Sequence, residues 1–135
     1  MNVEGKCHCG EITFSAEVNP DQVVVCHCSD CQALSGSPYR TVVLANEGEF
    51  RIERGNPKIY VKTIDNGAQR AQAFCPECGS PIYSGPVGEA AQQFISIRVG
   101  LIKQKDQLKP KKQIWCRSSL DWVQDLSNVP RLETE

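Results

Sequence analysis

Three cysteines within six residues, Cys26, Cys28 and Cys31, constrain this chain more than any other feature of its sequence. Thiols spaced Cys-x-Cys-x-x-Cys are too close to pair comfortably with one another in disulfide bonds, and the spacing suits a turn around one metal ion. Tetrahedral zinc takes four ligands, and this cluster supplies three of them. A fourth ligand from the protein would make the site structural, whereas an open position could hold a substrate.

Two further cysteine pairs follow metal-site spacing. The run Cys75-Pro-Glu-Cys78-Gly79 is typical of a zinc-knuckle turn, in which two thiolates face one point and the glycine permits an unusual backbone dihedral. Cys7 and Cys9, also followed by a glycine, supply a second pair far away in the sequence. Joining the two pairs predicts a closed, structural zinc site, because tetrahedral zinc then has no vacancy.

The remaining thiol, Cys116, is the one cysteine left to compete for the three-thiol cluster. Spacing alone leaves open whether Cys116 completes a second closed site or the fourth position stays free. Four disulfides are the alternative for eight cysteines, but such frameworks belong to secreted proteins. The chain begins without the apolar stretch of a signal peptide, so we expect a cytoplasmic protein whose thiols bind metal.

Short alternating segments separated by turn residues predict a mainly β domain of packed sheets that spans residues 1–135. Trp122 is expected to dock onto the core, and the last residues are expected to be loose. No window shows a sustained helical period, and one short helical turn is predicted within residues 29–37. The predicted strands are residues 11–18, 23–25, 39–45, 49–52, 58–63, 70–74, 81–84 and 94–100.

Charge and hydropathy limit the partners of the chain. Its 15 basic and 16 acidic residues form no basic run, so we expect no nucleic-acid partner. No apolar run approaches the roughly 20 residues that span a bilayer, so we expect no membrane partner either. The oligomeric state is open at this point, with a homodimer as one candidate assembly.

The order of the cysteine groups resembles the glutathione-dependent formaldehyde-activating enzyme (GFA) family, which includes the centromere-protein-V-like domains. The resemblance covers nearly the whole chain, and it implies a β-tent fold of packed antiparallel sheets with zinc-knuckle turns, carrying two zinc ions. It rests on three motifs, Gly5-x-Cys7-x-Cys9-Gly10, Cys26-His-Cys-Ser-Asp-Cys31-Gln32 and Phe74-Cys-Pro-Glu-Cys-Gly-Ser-Pro81.

The resemblance also implies a role for each thiol. The structural zinc of the family carries over onto Cys7, Cys9, Cys75 and Cys78. Its catalytic zinc carries over onto Cys26, Cys28 and Cys31. Cys116 has no place in the ligand set of the family.

The implied activity is that of a carbon–sulfur lyase similar to S-(hydroxymethyl)glutathione synthase. A glutathione thiolate held on the open three-cysteine zinc would condense with formaldehyde or a related small electrophile, since bound zinc deprotonates a coordinated thiol. The alternative is a non-catalytic, zinc-stapled binding module of the same family. A methionine sulfoxide reductase fits poorly, because that chemistry needs a free nucleophilic cysteine and Cys116 has no obvious resolving partner.

The side chains around the metal ligands are harder to assign. His8 and His27 each lie between two cysteines, and neighbours in an extended segment point to opposite faces, so both are expected to point away from the metal. The carboxylates of glutathione would need cationic binding partners, and the sequence does not indicate which basic residues supply them. The candidates are Arg40, Lys62, Arg70, Arg98 and Arg117.

Overall fold

Two β-sheets form the framework of the protein in a computed structural model, which describes residues 1–88 and 94–135, with Glu47 described by its backbone alone. The one α-helix of the described residues, α1, spans Ser29–Ser35. Short 3-10 turns cover Pro20–Gln22, Glu47–Glu49, Val99–Leu101, Lys105–Gln107 and Cys116–Ser118. The strands are β1 (Asn2–Lys6), β2 (Thr13–Glu17), β3 (Val23–Cys26), β4 (Arg40–Asn46), β5 (Phe50–Arg54), β6 (Lys58–Thr63), β7 (Gln69–Phe74), β8 (Pro81–Pro86), β9 (Phe94–Arg98) and β10 (Lys112–Ile114).

The strands divide unequally between the sheets. The small sheet has the order β1-β2-β5, and the large sheet has the order β10-β3-β4-β9-β8-β7-β6. The ladders are antiparallel except that β10 runs parallel to β3. The predicted mainly β, β-tent architecture of packed antiparallel sheets is confirmed.

The sequence pattern does not predict strands β1 and β10. Strand β1 pairs with β2 over five residues, and β10 pairs with β3 over three. Their sequences, Asn-Val-Glu-Gly-Lys and Lys-Gln-Ile, are short and mostly polar, so they carry no alternation that marks a strand. Hydrogen bonds to the adjacent strands β2 and β3 stabilise β1 and β10 as strands, because strand propensity depends on tertiary neighbours.

The hydrophobic core lies between the two sheets. The small sheet contributes Val3 and Phe14, and the large sheet contributes Val43, Ile82 and Ile97, all at most 2% exposed. The ring of Phe14 lies directly over Gly5 of the neighbouring strand, where any Cβ would collide with it. Glycine at this position therefore lets the aromatic ring fill the core.

The opposite face of the large sheet is polar. Val43 and Ile97 pair across β4 and β9 and point into the core. Val42 and Arg98, the next pair along the ladder, therefore face the other way, because successive side chains alternate. Arg40, opposite Cys26 on β3, shares this face. The large sheet thus carries thiol and guanidinium groups on the side away from the core.

The large sheet curves strongly around this polar face. Asp30 lies in α1, just after β3, and its carboxylate is 2.8 Å from Nζ of Lys62 on β6. Five strand spacings separate β3 from β6 in the sheet order, which is about 24 Å in a flat sheet. The turn from Cys26 to Asp30 is compact, because the three thiols within it lie within 4.8 Å of one another. This turn and a lysine side chain together fall short of that distance, so the sheet bends and its polar face is concave.

The C-terminal aromatic residues differ from expectation. Trp122 was predicted to dock onto the core, but it is 53% exposed, and Trp115 is 52% exposed. The prediction is wrong because the core is already filled by side chains from the two sheets. Within the described ranges, no helix is long and apolar enough to cross a membrane.

Truncation of the core tests this arrangement. We expect Ile97→Ala to lower the free energy of unfolding by about 2–5 kcal/mol, because it leaves a cavity between the sheets. The matched control is Ile59→Ala on β6, where the side chain is 45% exposed, and the expected change is about 0.5 kcal/mol or less. Urea unfolding of the metal-loaded protein measures both; equal losses would contradict the assigned core.

Candidate metal centres

Four thiols from distant parts of the chain meet at one point. The Sγ atoms of Cys7, Cys9, Cys75 and Cys78 all lie within 4.8 Å of one another. The Sγ of Cys9 is 3.6 Å from that of Cys7 and 3.8 Å from that of Cys75. Tetrahedral zinc with bonds of about 2.3 Å to sulfur places its ligands about 3.8 Å apart. The spacing of this group therefore fits one zinc ion.

Backbone turns bring each pair of thiols to this point. In the first turn, the N–H of Gly10 donates to the carbonyl of Cys7 at 3.1 Å. In the second, the N–H of Gly79 donates to the carbonyl of Cys75 at 2.8 Å. Both glycines have positive φ, 82° and 76°, a conformation that other residues rarely adopt. The predicted glycine after the knuckle is confirmed in its conformational role.

Ser80 links the two turns, and the sequence reasoning missed it. Its hydroxyl accepts the backbone N–H of His8 at 3.0 Å and lies 3.2 Å from Sγ of Cys78. Donation from this hydroxyl lowers the pKa of the Cys78 thiol to about 5. Metals bind the thiolate form, so this hydrogen bond prepares Cys78 as a ligand. A hydroxyl two residues after the second knuckle cysteine was the available signal.

The second cluster is local in sequence. The Sγ atoms of Cys26, Cys28 and Cys31 lie within 4.8 Å of one another. Cys26 ends β3, Cys28 is the N-cap of α1, and Cys31 lies in the first turn of that helix. The Sγ of Cys28 accepts the N–H of Cys31 at 3.3 Å, so the capping interaction holds two of the three thiols together.

The thiols of this second cluster shift each other's pKa values. The contact with Cys31 lowers the pKa of Cys26, and the same contact raises the pKa of Cys31. Metals bind the thiolate form, so metal binding at this cluster would displace the thiol protons. Three soft sulfur donors at this spacing suit zinc.

Within residues 1–88 and 94–135, no fourth metal-ligating side chain joins the Cys26 cluster. Cys116 is exposed and lies outside both groups. The carboxylate of Asp30 pairs with Lys62 instead. Among the described residues, the cluster therefore offers three ligands, one fewer than tetrahedral zinc takes.

His27 points away from the thiols, as expected from strand alternation. Its ring is fully buried, with Nε2 2.8 Å from Oε1 of Gln113 and an edge-on contact of 5.5 Å with Tyr39. Its carbonyl accepts the side-chain amide of Gln32 at 2.8 Å, and the same amide reaches the carbonyl of Ser118. His27 thus anchors the metal loop to β10 and the turn that follows.

The structure sorts the five basic candidates. Arg40 and Arg98 each donate to Oε1 of Gln72, and Arg70 lies two residues before that glutamine on β7. The remaining two are engaged elsewhere: Lys62 pairs with Asp30, and the guanidinium of Arg117 lies 5.0 Å from the ring centre of Trp115. Gln72 was not predicted, since nothing in the sequence marks it.

The four-thiol group can be tested by removing one ligand. We expect Cys75→Ser to lose one of two bound zinc ions and to lower the free energy of unfolding by about 4 kcal/mol or more, because the group joins the two sheets. The exposed Cys116→Ser is the control and should keep both ions. Metal analysis by mass spectrometry with urea unfolding measures this; full metal content in Cys75→Ser would contradict the site.

The three-thiol cluster should respond differently. We expect Cys28→Ser to lose the other zinc ion while the far-ultraviolet circular dichroism spectrum and the thermal midpoint stay close to wild type. The core and the four-thiol group do not depend on this cluster. Global unfolding of Cys28→Ser would instead make the cluster structural.

Comparisons with known proteins bear on the family and the fold of the chain. A model of the family described as "Glutathione-dependent formaldehyde-activating enzyme" matches residues 2–118. A crystal structure of a Rhodobacter sphaeroides protein shares the fold, with a TM-score of 0.62 at 17% identity, covering 82% of this chain and 98% of that one.

A curated relative carries the same description as the family. A Halomonas elongata protein, provisionally named a glutathione-dependent formaldehyde-activating enzyme, is 28% identical over 87 residues, or 62% of this chain. The match spans only 55% of the length of that relative. The resemblance first inferred from the cysteine motifs is confirmed by the family match. On that ground the chain belongs to the glutathione-dependent formaldehyde-activating enzyme family.

Proposed function

We propose that this protein is a zinc-dependent carbon–sulfur lyase, similar to S-(hydroxymethyl)glutathione synthase, acting in the cytoplasm as one domain over residues 1–135. The observation that carries the proposal is the cluster of Cys26, Cys28 and Cys31, to which no described residue adds a fourth ligand. Membership of the GFA family supports glutathione as the thiol and formaldehyde as the electrophile.

The proposed reaction joins two small molecules without any change of oxidation state. The sulfur of glutathione forms a bond to the carbon of formaldehyde, the carbon–oxygen π bond opens, and the thiol proton ends on that oxygen. Zinc at the three-thiol cluster would supply the thiolate form of glutathione at neutral pH. The uncatalysed addition is already feasible, so the protein contributes mainly the proximity of the two reactants.

The residues of the chain have defined parts in this proposal. Cys26, Cys28 and Cys31 would hold the catalytic zinc, and the first turn of α1 keeps their sulfurs together through the N–H of Cys31. Cys7, Cys9, Cys75 and Cys78 would hold the structural zinc and fix the two sheets relative to each other. Three anionic sulfurs around a soft metal favour a further sulfur ligand over activated water.

One observation favours a second candidate, a binding module without turnover. Among the described residues, neither a histidine nor an unpaired carboxylate joins the three-thiol cluster, since His27 turns away and Asp30 is paired. Within residues 1–88 and 94–135, no side-chain base is therefore placed to move a proton there. Such a site would bind a thiol tightly yet leave the addition to formaldehyde uncatalysed.

Exchange spectroscopy separates the two candidates. We expect the zinc-loaded protein, at about one-hundredth of the substrate concentration, to accelerate exchange between formaldehyde, glutathione and their adduct in NMR, because catalysis needs turnover. Cys28→Ser should return the exchange to the uncatalysed rate, and Cys116→Ser should match wild type. Glutathione binding without any acceleration would overturn the lyase and leave the binding module.

A further inference from the structure

Three arginines converge on the concave face of the large sheet, beside the three-thiol cluster. Arg40 on β4 and Arg98 on β9 are each 7% exposed, and Arg70 on β7 is partly buried. Nη1 of Arg40 and Nη2 of Arg98 donate to the same Oε1 of Gln72, at 3.1 Å and 3.0 Å. One neutral amide oxygen is thus shared by two cations from different strands.

These guanidinium groups have no acidic partner among the described residues. The two ion pairs that the structure records involve Lys62 and Lys111. Buried nitrogen atoms of all three arginines find no hydrogen-bond acceptor in the part of the chain that the structure describes: Nε and Nη2 of Arg40, Nη1 of Arg70 and Nε of Arg98. Burying a charge without a partner is costly, so an anion at this place would be strongly favoured.

Burial lowers the pKa of two of the three arginines. Desolvation lowers the pKa of Arg98 to about 9, and the charge of Arg40 adds to this effect. Desolvation also lowers the pKa of Arg70, whose contacts are two long hydrogen bonds of 3.4 Å to carbonyls and the face of Phe94. The fold thus keeps three like charges close together, and no carboxylate among the described residues pairs with them.

The neighbouring thiols offset only part of this charge. Arg40 is directly opposite Cys26 in the β3–β4 ladder. Three thiolates around a divalent ion carry one net negative charge, and an incoming thiolate makes it two. The three guanidinium groups carry three positive charges, so one positive charge remains when a thiol is bound. A single carboxylate would balance it.

We propose that Arg40, Arg70 and Arg98 form an anion subsite, which takes a carboxylate carried by the same thiol that binds at Cys26, Cys28 and Cys31. This proposal rests on one part of the proposed function, namely that the three-thiol cluster binds a thiol. Guanidinium groups match carboxylates through paired hydrogen bonds, and Gln72 holds two of them in place. The substrate class is then mercapto acids and thiol peptides, in preference to neutral thiols.

A matched pair of thiols tests the subsite. Mercaptoacetate and 2-mercaptoethanol are similar in size but differ in having a carboxylate or a hydroxyl group. In titration calorimetry on the zinc-loaded protein, we expect mercaptoacetate to bind more tightly than 2-mercaptoethanol. The ratio of the two association constants, mercaptoacetate over 2-mercaptoethanol, should fall about tenfold in Arg98→Gln. Comparing ratios between proteins cancels the difference in thiol acidity.

Two further variants provide a second test and a control. Arg70→Gln removes the least buried of the three arginines, and it should lower the ratio even if Arg98→Gln does not fold. Arg51→Gln removes an exposed arginine on β5 of the small sheet, and it should leave the ratio unchanged. An unchanged ratio in every arginine variant that folds, or an equal fall in Arg51→Gln, would overturn the subsite while thiol binding stands.

A separate measurement distinguishes failure of the subsite from failure of the proposed function. If neither thiol binds the zinc-loaded protein, the proposed function fails, and acetate alone then tests the subsite. NMR signals of the arginine Nε–H groups of Arg40 and Arg98 should shift with acetate in wild type, and much less in Arg70→Gln. An absence of acetate-dependent shifts in wild type would overturn the subsite in that case.

Discussion

The meeting of two thiol pairs fixes the relation between the two sheets. Cys7 and Cys9 follow β1 of the small sheet, and Cys75 and Cys78 follow β7 of the large sheet. Their sulfur spacing fits one tetrahedral zinc, so a metal there would clamp the sheets together at one end of the core. Structural zinc contributes directly to folding, so a metal bound here would stabilise the contact between the sheets.

The same arrangement leaves the second cluster with an incomplete set of protein ligands. With four thiols committed to the closed group and Cys116 exposed, the Cys26 cluster keeps three protein sulfurs. Its metal loop is supported from outside by Gln32 and His27, which tie it to the C-terminal part of the chain. A rigid loop with an incomplete ligand set suits binding of an external thiol, whether or not turnover follows.

Curvature of the large sheet joins this cluster to a cationic surface. Residues on β4, β7 and β9 would be well separated in a flat sheet, yet Arg40 and Arg98 reach one amide oxygen of Gln72. The bend also brings β6 to α1 through Lys62 and Asp30. The three-thiol cluster and the three arginines of the proposed anion subsite therefore lie on the same face because of sheet geometry, rather than because of any local motif.

The sequence by itself determined the metal-binding pattern and most of the strands. Ligand spacing within a turn is a local property, so Cys-x-x-Cys and Cys-x-Cys-x-x-Cys predict thiol groups without knowledge of the fold. Alternation of polar and apolar residues is equally local, and it predicted β2 to β9 to within a few residues. The pairing of Cys7 and Cys9 with Cys75 and Cys78 followed from counting the ligands that zinc requires.

Only the tertiary structure decided which charged side chains meet. Arg40, Arg70 and Arg98 were indistinguishable in the sequence from Lys62 and Arg117, because a lone basic residue carries no signal of its depth or its partners. Strands β1 and β10 likewise depend on neighbours that supply their hydrogen bonds. These features arise from contacts between residues far apart in the chain, and the curvature that creates them is a property of the whole sheet.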